Sequence, residues 1–227
     1  MTPPVLSHDT GIADVSTFPA VAPPQETIGV FGGSFNPVHN GHIAVARAAV
    51  SSGLVGKVLM VLSPLNPLKE HPEQLVADAD RLAMLRRACA PYPELEACDV
   101  ELSMPRPSYT VDTMHRLRLI YPAARLRLII GADNLACFDR WRAWEELLRD
   151  YAPIVYPREG YPLPATAAKR GFTPLDAPLF PVSSTEIRAM IAAGASTGPL
   201  IPDEVASYIR CHALYGAPGN APAPSGK

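Results

Sequence analysis

The chain has 227 residues, 48% of them hydrophobic and 19% charged, which is enough apolar material for one sizeable core. Its net charge is -2 and its pI about 6.3, so no global basic field draws it to nucleic acid, although a local basic pocket stays open. The cysteines Cys89, Cys98, Cys137 and Cys211 are widely spaced, make no CxxC pair or Cys/His cluster, and read as reduced thiols rather than metal ligands.

Residues 1–27 carry Pro3, Pro4, Pro19, Pro23 and Pro24 with no helical period, which predicts a disordered extension. His8, Asp9 and Asp14 stand where a secretory signal would need a basic segment and an apolar run, and no window has the length of a membrane span. A cytoplasmic protein without a membrane partner is expected.

A buried strand over Thr27 to Phe31 leads into GGSFNPVHNGH, and a helix follows from about Gly41 to Ser51, closed by Gly53. KVLMVL, Lys57 to Leu62, is the short apolar run that a buried parallel strand requires. A proline-rich loop bearing Lys69 enters DADRLAMLRRACA, where Leu82, Leu85 and Ala88 share a helical face. A third strand fits Ala97 to Leu102. SYTVDTMHRLRLIY then reads as a helix capped by Ser108, with Val111, Met114 and Leu117 at helical spacing. A strand through Leu126 to Ile130 ends on Gly131 and places Asp133 just past its carboxyl end.

A helix from about Phe138 to Arg149 would bear both tryptophans, and YAPIVYP would supply a fifth strand. The turn-rich stretch after it resists assignment. SSTEIRAMIAAG predicts a helix ending at Gly194, and PDEVASYIRCHALYG another, from Pro202 to Gly216. The expected organisation is one domain over residues 28–215 and a disordered tail over 216–227. Strands alternating with helices imply an α/β fold, a mostly parallel sheet with helices on both faces and ligands beyond the strands' carboxyl ends.

Two stretches carry the chemistry. A strand that stops at Gly32-Gly33 and feeds a helix near Asn40 leaves unpaired helix amides pointing outward, a place to hold phosphate. Either His39 or His42 alone would read as structural. As a pair near the positive end of a helix, where an imidazolium is disfavoured by up to about 1 kcal/mol, they make sense chiefly beside an anion. The loop is neither GxxxxGK[ST] nor GxGxxG. Far along the chain, Ser183 and Glu186 make a capping box, which explains neither Thr185 nor Arg188. A guanidinium early in a helix gains nothing from the dipole and could instead fork onto a triphosphate. Asp133 could cap the helix after it, and Trp141 and Trp144 could both be core.

GGSFNPVHNGH resembles the (G)GxFxPxHxGH signature of the nucleotidyltransferase superfamily, and VSSTEIR resembles its ISSTxIR motif. PSYTVDT, IIGADNLACFDRWRAW, VYPREGY and LIPDEVASYIRCHALY are similar to segments of the bacterial nicotinate-nucleotide adenylyltransferase family, so that the resemblance spans nearly all of residues 28–215. It implies a Rossmann-like doubly wound sheet. It also implies adenylyl transfer from ATP to nicotinate mononucleotide, giving deamido-NAD and pyrophosphate, with Mg2+ arriving on ATP rather than in a protein cage. His39 and His42 would contact the ATP phosphates, with the backbone of Gly32, Gly33, Ser34 and Phe35 lining the nucleotide site. Ser183, Ser184, Thr185 and Arg188 would grip the β and γ phosphates, and Gly131 and Asp133 would meet the ribose. Tyr109 and Thr110 would bind the nicotinate end, Trp141 would stack on the pyridine ring, and Arg142 would lie beside it.

The chain departs from the family at several points. Lys69, which the resemblance would also bring to the ATP phosphates, follows Pro67-Leu68 where relatives often have Pro-His-Lys, Arg142 stands where many have Tyr or His, and Met104 and Arg106 replace an Arg and a small residue. The rim of the acceptor pocket is therefore where the resemblance carries over least directly. Nicotinamide mononucleotide or pantetheine phosphate as acceptor, and a non-catalytic nucleotide-binding module, are the alternatives.

Overall fold

The computed structural model describes residues 26–64, 75–164, 166–177 and 179–217. Lys69 and most of the two expected extensions lie outside the described residues.

Six strands form one all-parallel sheet: β1 (Thr27–Gly33), β2 (Lys57–Leu62), β3 (Leu95–Cys98), β4 (Arg125–Gly131), β5 (Ile154–Tyr156) and β6 (Thr173–Pro174). Their order is β3-β2-β1-β4-β5-β6. The chain thus leaves β1 in one direction and returns beside it as β4, and the crevice between those two strands' carboxyl ends is where a doubly wound sheet binds its ligand.

The helices are α1 (Asn40–Ser51), α2 (Asp78–Cys89), α3 (Thr110–Ile120), α4 (Trp144–Tyr151), α5 (Ser184–Ala192) and α6 (Asp203–Cys211). Successive strand residues point to opposite faces, so β1 sends Phe31 into one core layer and Ile28 and Val30 into the other. The first layer joins Ile43 of α1, Leu85 of α2, Ile187 of α5 and Val205 of α6. The second joins Met114 of α3 and Leu147 of α4. Both sheet faces are covered, which is why β2 is apolar after Lys57 and β4 is apolar from Leu128 to Ile130.

Four local expectations are corrected. β3 stops at Cys98 instead of running to Leu102, and Val100–Ser103 forms a 3-10 turn. β3 pairs with β2 only as far as Val61, and the turn brings the buried Glu101 carboxylate inward. Ser108 does not cap α3. Tyr109 holds the cap position without a side-chain bond, while the Ser108 hydroxyl donates to Glu101 Oε2 at 2.6 Å. The expected helix over 138–149 is split into a 3-10 turn, Phe138–Arg140, and α4, because Ala143 sits at φ +52° between them. Pro202 occupies the cap of α6 and the helix ends at Cys211, with Ala213 at φ +47° before a 3-10 turn, Leu214–Gly216.

Candidate active site

The loop after β1 is held from beneath by a side chain with no local signature. Arg81, on α2, is fully buried and donates to the carbonyls of Ser34 at 2.7 Å, Ser63 at 2.8 Å, Pro64 at 3.2 Å and Val76 at 3.2 Å. It also pairs with Asp78 Oδ1 at 2.5 Å. One planar guanidinium therefore fixes the carboxyl ends of β1 and β2 together. Above it, Phe35 is buried at φ +41°, and its ring meets the Phe31 ring edge-on at 6.0 Å and the His42 ring at 5.0 Å.

His39 caps α1 and His42 lies one turn on, so the two imidazoles stack at 3.6 Å. The His39 backbone N–H donates to His42 Nδ1 at 3.2 Å. With Nδ1 accepting, a neutral His42 ring carries its proton on Nε2. Burial, with the Arg158 guanidinium adding to it, pushes His39 down to about 4. The ring is therefore neutral at pH 7, and its buried Nδ1 meets no hydrogen-bond partner among the described residues.

α5 closes on this loop. Ser183 caps α5 with its hydroxyl on the Glu186 N–H at 3.2 Å, and Glu186 Oε2 accepts from the Ser183 N–H at 2.8 Å, the expected capping box. The Ser184 hydroxyl donates to Pro37 O at 3.0 Å, and Arg188 Nη1 donates to Asn36 O at 3.0 Å, with Thr185 Oγ1 3.4 Å from Arg188 Nη2. The buried Asn36 side chain accepts from Tyr215 Oη at 2.9 Å and from the Val76 N–H at 3.3 Å. Two motifs about 150 residues apart in sequence, |i−j| 152 for the Arg188 contact, are thus one hydrogen-bonded unit.

Beyond the β1 and β4 ends lies a cleft of about 330 Å3 lined by His39, His42, Asp133, Arg158, Ser183 and Glu186 among others. Asp133 sits in the 3-10 turn after β4 and accepts at Oδ1 from Asn134 Nδ2 at 3.2 Å. Gly131 leaves room there: a Cβ would come within 2.3 Å of Asp133 Oδ1 and 2.8 Å of Arg158 Cδ, so both side chains would have to shift. Arg158 approaches Asp133 Oδ1 at 3.8 Å and the Tyr156 hydroxyl at 3.4 Å. Burial raises the Tyr156 phenol above its ordinary value, so it stays protonated.

Tyr109, Thr110, Trp141 and Arg142 do not line this cleft. They form a second cluster, where α3 begins. The Arg142 guanidinium lies 5.1 Å from the Tyr109 ring centre and pairs with Asp112 at 3.1 Å. Trp141 packs on Phe138 at 5.3 Å, and its buried Nε1 has no partner among the described residues. Glu101 braces the cluster by accepting the Ser108 and Thr113 hydroxyls, the latter at 2.8 Å. Arg106 pairs with Asp78 at 2.6 Å, and Met104 follows the 3-10 turn. Among the described residues, no group of three or more His, Cys, Asp or Glu converges on a metal position, and no helix is long and apolar enough to cross a membrane.

Sequence reasoning missed Arg81, Arg158, Tyr215 and Glu101. Arg158 and Tyr215 stood within VYPREGY and LIPDEVASYIRCHALY, segments noted only for their resemblance, and Arg81 and Glu101 had no spacing signal.

A doubly wound sheet whose crevice joins a His-bearing helix start to a capped Ser-Ser-Thr helix defines a nucleotidyltransferase, and the Cytidylyltransferase-like family matches residues 30–190. A protein of Bacteroides fragilis named "Probable nicotinate-nucleotide adenylyltransferase" is 38% identical over 166 residues, covering 73% of this chain and 82% of its own. One of the same name from Porphyromonas gingivalis is 39% identical over 167 residues, covering 73% and 84%. The fold is shared with the Plasmodium falciparum nicotinic acid mononucleotide adenylyltransferase complexed with NaAD, at TM-score 0.70 and 18% identity over 84% of this chain and 98% of that one. The chain belongs to the nicotinate-nucleotide adenylyltransferase family.

Proposed function

We propose that the protein transfers the adenylyl group of ATP to nicotinate mononucleotide, releasing pyrophosphate and deamido-NAD, in the cytoplasm. The observation that carries this is the joining of the α1 and α5 starts across one cleft, with Asp133 opposite them. His42 and Arg188 meet the triphosphate, the backbone from Gly32 to Phe35 lines it, and Asp133 accepts from the ribose hydroxyls. Ser184 fastens the α5 start to the loop, while Ser183 caps that helix and Thr185 lies beside Arg188.

The acceptor's phosphate monoester has a second pKa of about 6 and is largely dianionic at neutral pH, so its attack on the α phosphorus needs no general base. The bond from the α phosphorus to the bridging oxygen breaks as the new one forms, and pyrophosphate leaves with the charge. Positioning and charge stabilisation do the catalytic work. The cleft is lined by histidine and hydroxyl groups and by the carboxylates of Asp133, Glu159 and Glu186, which among the described residues do not converge on one metal position, and this fits Mg2+ carried mainly by phosphates and water. Bound there, the ion neutralises polyphosphate charge. The second cluster supplies the acceptor's pyridine end, with the Tyr109-Thr110 helix start facing the nicotinate carboxylate and Trp141 its ring.

With ATP and Mg2+, the purified protein releases pyrophosphate much faster with nicotinate mononucleotide than with nicotinamide mononucleotide or pantetheine phosphate. Equal or reversed preference removes the acceptor assignment. His42→Ala lowers turnover at least about tenfold, roughly 1.4 kcal/mol, without changing the circular dichroism. Unchanged turnover would return His42 to a purely structural role.

A further inference from the structure

The cleft is short of positive charge. It is lined by the carboxylates of Asp133, Glu159 and Glu186 and by the two histidines, of which His39 is neutral at pH 7. Among the described residues lining it, Arg158 is the single arginine or lysine, since Arg188 stands outside this lining with Nη1 on Asn36 O at 3.0 Å and reaches the triphosphate only from its edge. A polyphosphate brought against three carboxylates and a neutral imidazole needs a cation that points into the same space.

Arg158 is built to be that cation. Its backbone is fixed by a tight turn, with the Tyr161 N–H on Arg158 O at 2.9 Å, so the side chain leaves the end of β5 toward the crevice. The side chain keeps 39% of its surface exposed, and its near neighbours are loosely held: Asp133 Oδ1 at 3.8 Å from Nε and Tyr156 Oη at 3.4 Å from Nη1. A guanidinium has five donors and prefers bidentate contacts near 2.9 Å, so both neighbours leave most of its capacity unused. It also stands where the ribose and phosphate halves of the cleft meet. On one side is Asp133; on the other is His39, close enough to feel the guanidinium charge.

We propose that Arg158 contacts the ATP polyphosphate directly, exchanging its loose pairing with Asp133 for the phosphate oxygens and releasing that carboxylate to the ribose. This rests on the adenylyltransferase reading for the identity of the nucleotide, but it is a statement about binding and is tested by binding. The exchange is a change of partners for two side chains and needs no covalent step.

The test is calorimetric titration of the full chain with Mg-ATP, inorganic tripolyphosphate and adenosine. Arg158→Ala weakens ATP and tripolyphosphate by about tenfold or more, the usual cost of a lost charge-assisted contact, and adenosine by less than about twofold. Arg158→Lys, which keeps the charge without the fork, recovers part of the loss. In an Asp133→Asn background, Arg158→Ala still weakens tripolyphosphate by a similar factor. Unchanged tripolyphosphate affinity, or a loss that disappears in the Asp133→Asn background, would overturn the proposal and leave Arg158 as a support for Asp133. ATP binding lost with Arg158→Ala in a protein that fails to turn over nicotinate mononucleotide would sink the function and keep this inference. Normal turnover with intact ATP affinity in Arg158→Ala would do the reverse.

Discussion

Replacing Arg81 by Met keeps much of its volume and removes every donor at once. Four backbone carbonyls, those of Ser34, Ser63, Pro64 and Val76, lose their guanidinium partner in a site where the arginine has no exposed surface. A fully buried carbonyl left without a partner costs about 1–3 kcal/mol, and of these four bonds the one to Pro64 is buried and the other three are partly so. The two short bonds, 2.7 Å to Ser34 and 2.8 Å to Ser63, account for the larger share. Asp78 keeps Arg106 at 2.6 Å and does not become an unpaired charge. Since such losses overlap, the expected destabilisation is about 3–5 kcal/mol, a large part of the ~5–15 kcal/mol of a typical domain. Urea unfolding reads it as a lower midpoint with an unchanged slope. Because Ser34 begins the loop that carries His39, ATP affinity should fall as well. Arg81→Lys keeps the charge but reaches fewer carbonyls, so it falls between wild type and Arg81→Met and remains measurable if the Met variant does not fold. A midpoint shift worth less than about 1 kcal/mol, together with unchanged ATP affinity, would refute the claim that this side chain organises the loop.

Two further outcomes follow from the geometry of the cleft. His39 is held at about 4 against an ordinary 6.5, so between those pH values the unfolded chain takes up a proton that the folded protein refuses. Stability is therefore full above about pH 6.5 and is lost as pH falls toward 4, by on the order of 3 kcal/mol from this residue. His39→Asn flattens that part of the acid limb in urea titrations run from pH 7 to 4, and an unaltered slope would contradict the buried neutral ring. Gly131→Ala puts a Cβ 2.3 Å from Asp133 Oδ1, so the carboxylate must move. The KM for ATP should rise several-fold while that for the acceptor stays within about twofold, and equal effects on both would show that Gly131 does not serve the nucleotide half.

Local patterns were legible wherever one residue type has one physical reason to sit at its position. The apolar run Lys57 to Leu62 is of the kind a buried parallel strand requires, and it is one with those bounds. Ser183 and Glu186 announced a capping box from a spacing of three, and the box is formed. The errors came where a tertiary partner outbid a local preference. Ser108 is a good cap by type, yet its hydroxyl goes to the buried Glu101, which a strand through Leu102 could not have presented. The helix expected over 138–149 breaks because Ala143 takes a left-handed conformation, one that its side chain gave no reason to expect. Arg81 was invisible for a different reason. In DADRLAMLRR it has the same local setting as Arg86, which makes an exposed pair with Asp99 at 3.0 Å, and nothing in the sequence tells the buried guanidinium from the solvated one.

By itself the sequence determined the alternation of strands and helices, and through it a parallel sheet with ligand at the carboxyl ends. It also determined the two helix starts that border the cleft, because glycine turns, caps and apolar periods are properties of neighbours along the chain. Only the tertiary structure decided that Arg188 and Ser184 fasten the second start to the first, that Arg81 and Tyr215 brace the loop between them, and that Arg158 faces Asp133 across the cleft. Those contacts join residues far apart in sequence. Long charged or aromatic side chains at such positions take whichever partner the folded backbone brings near, and that partner is set by the path of the whole chain rather than by any local pattern.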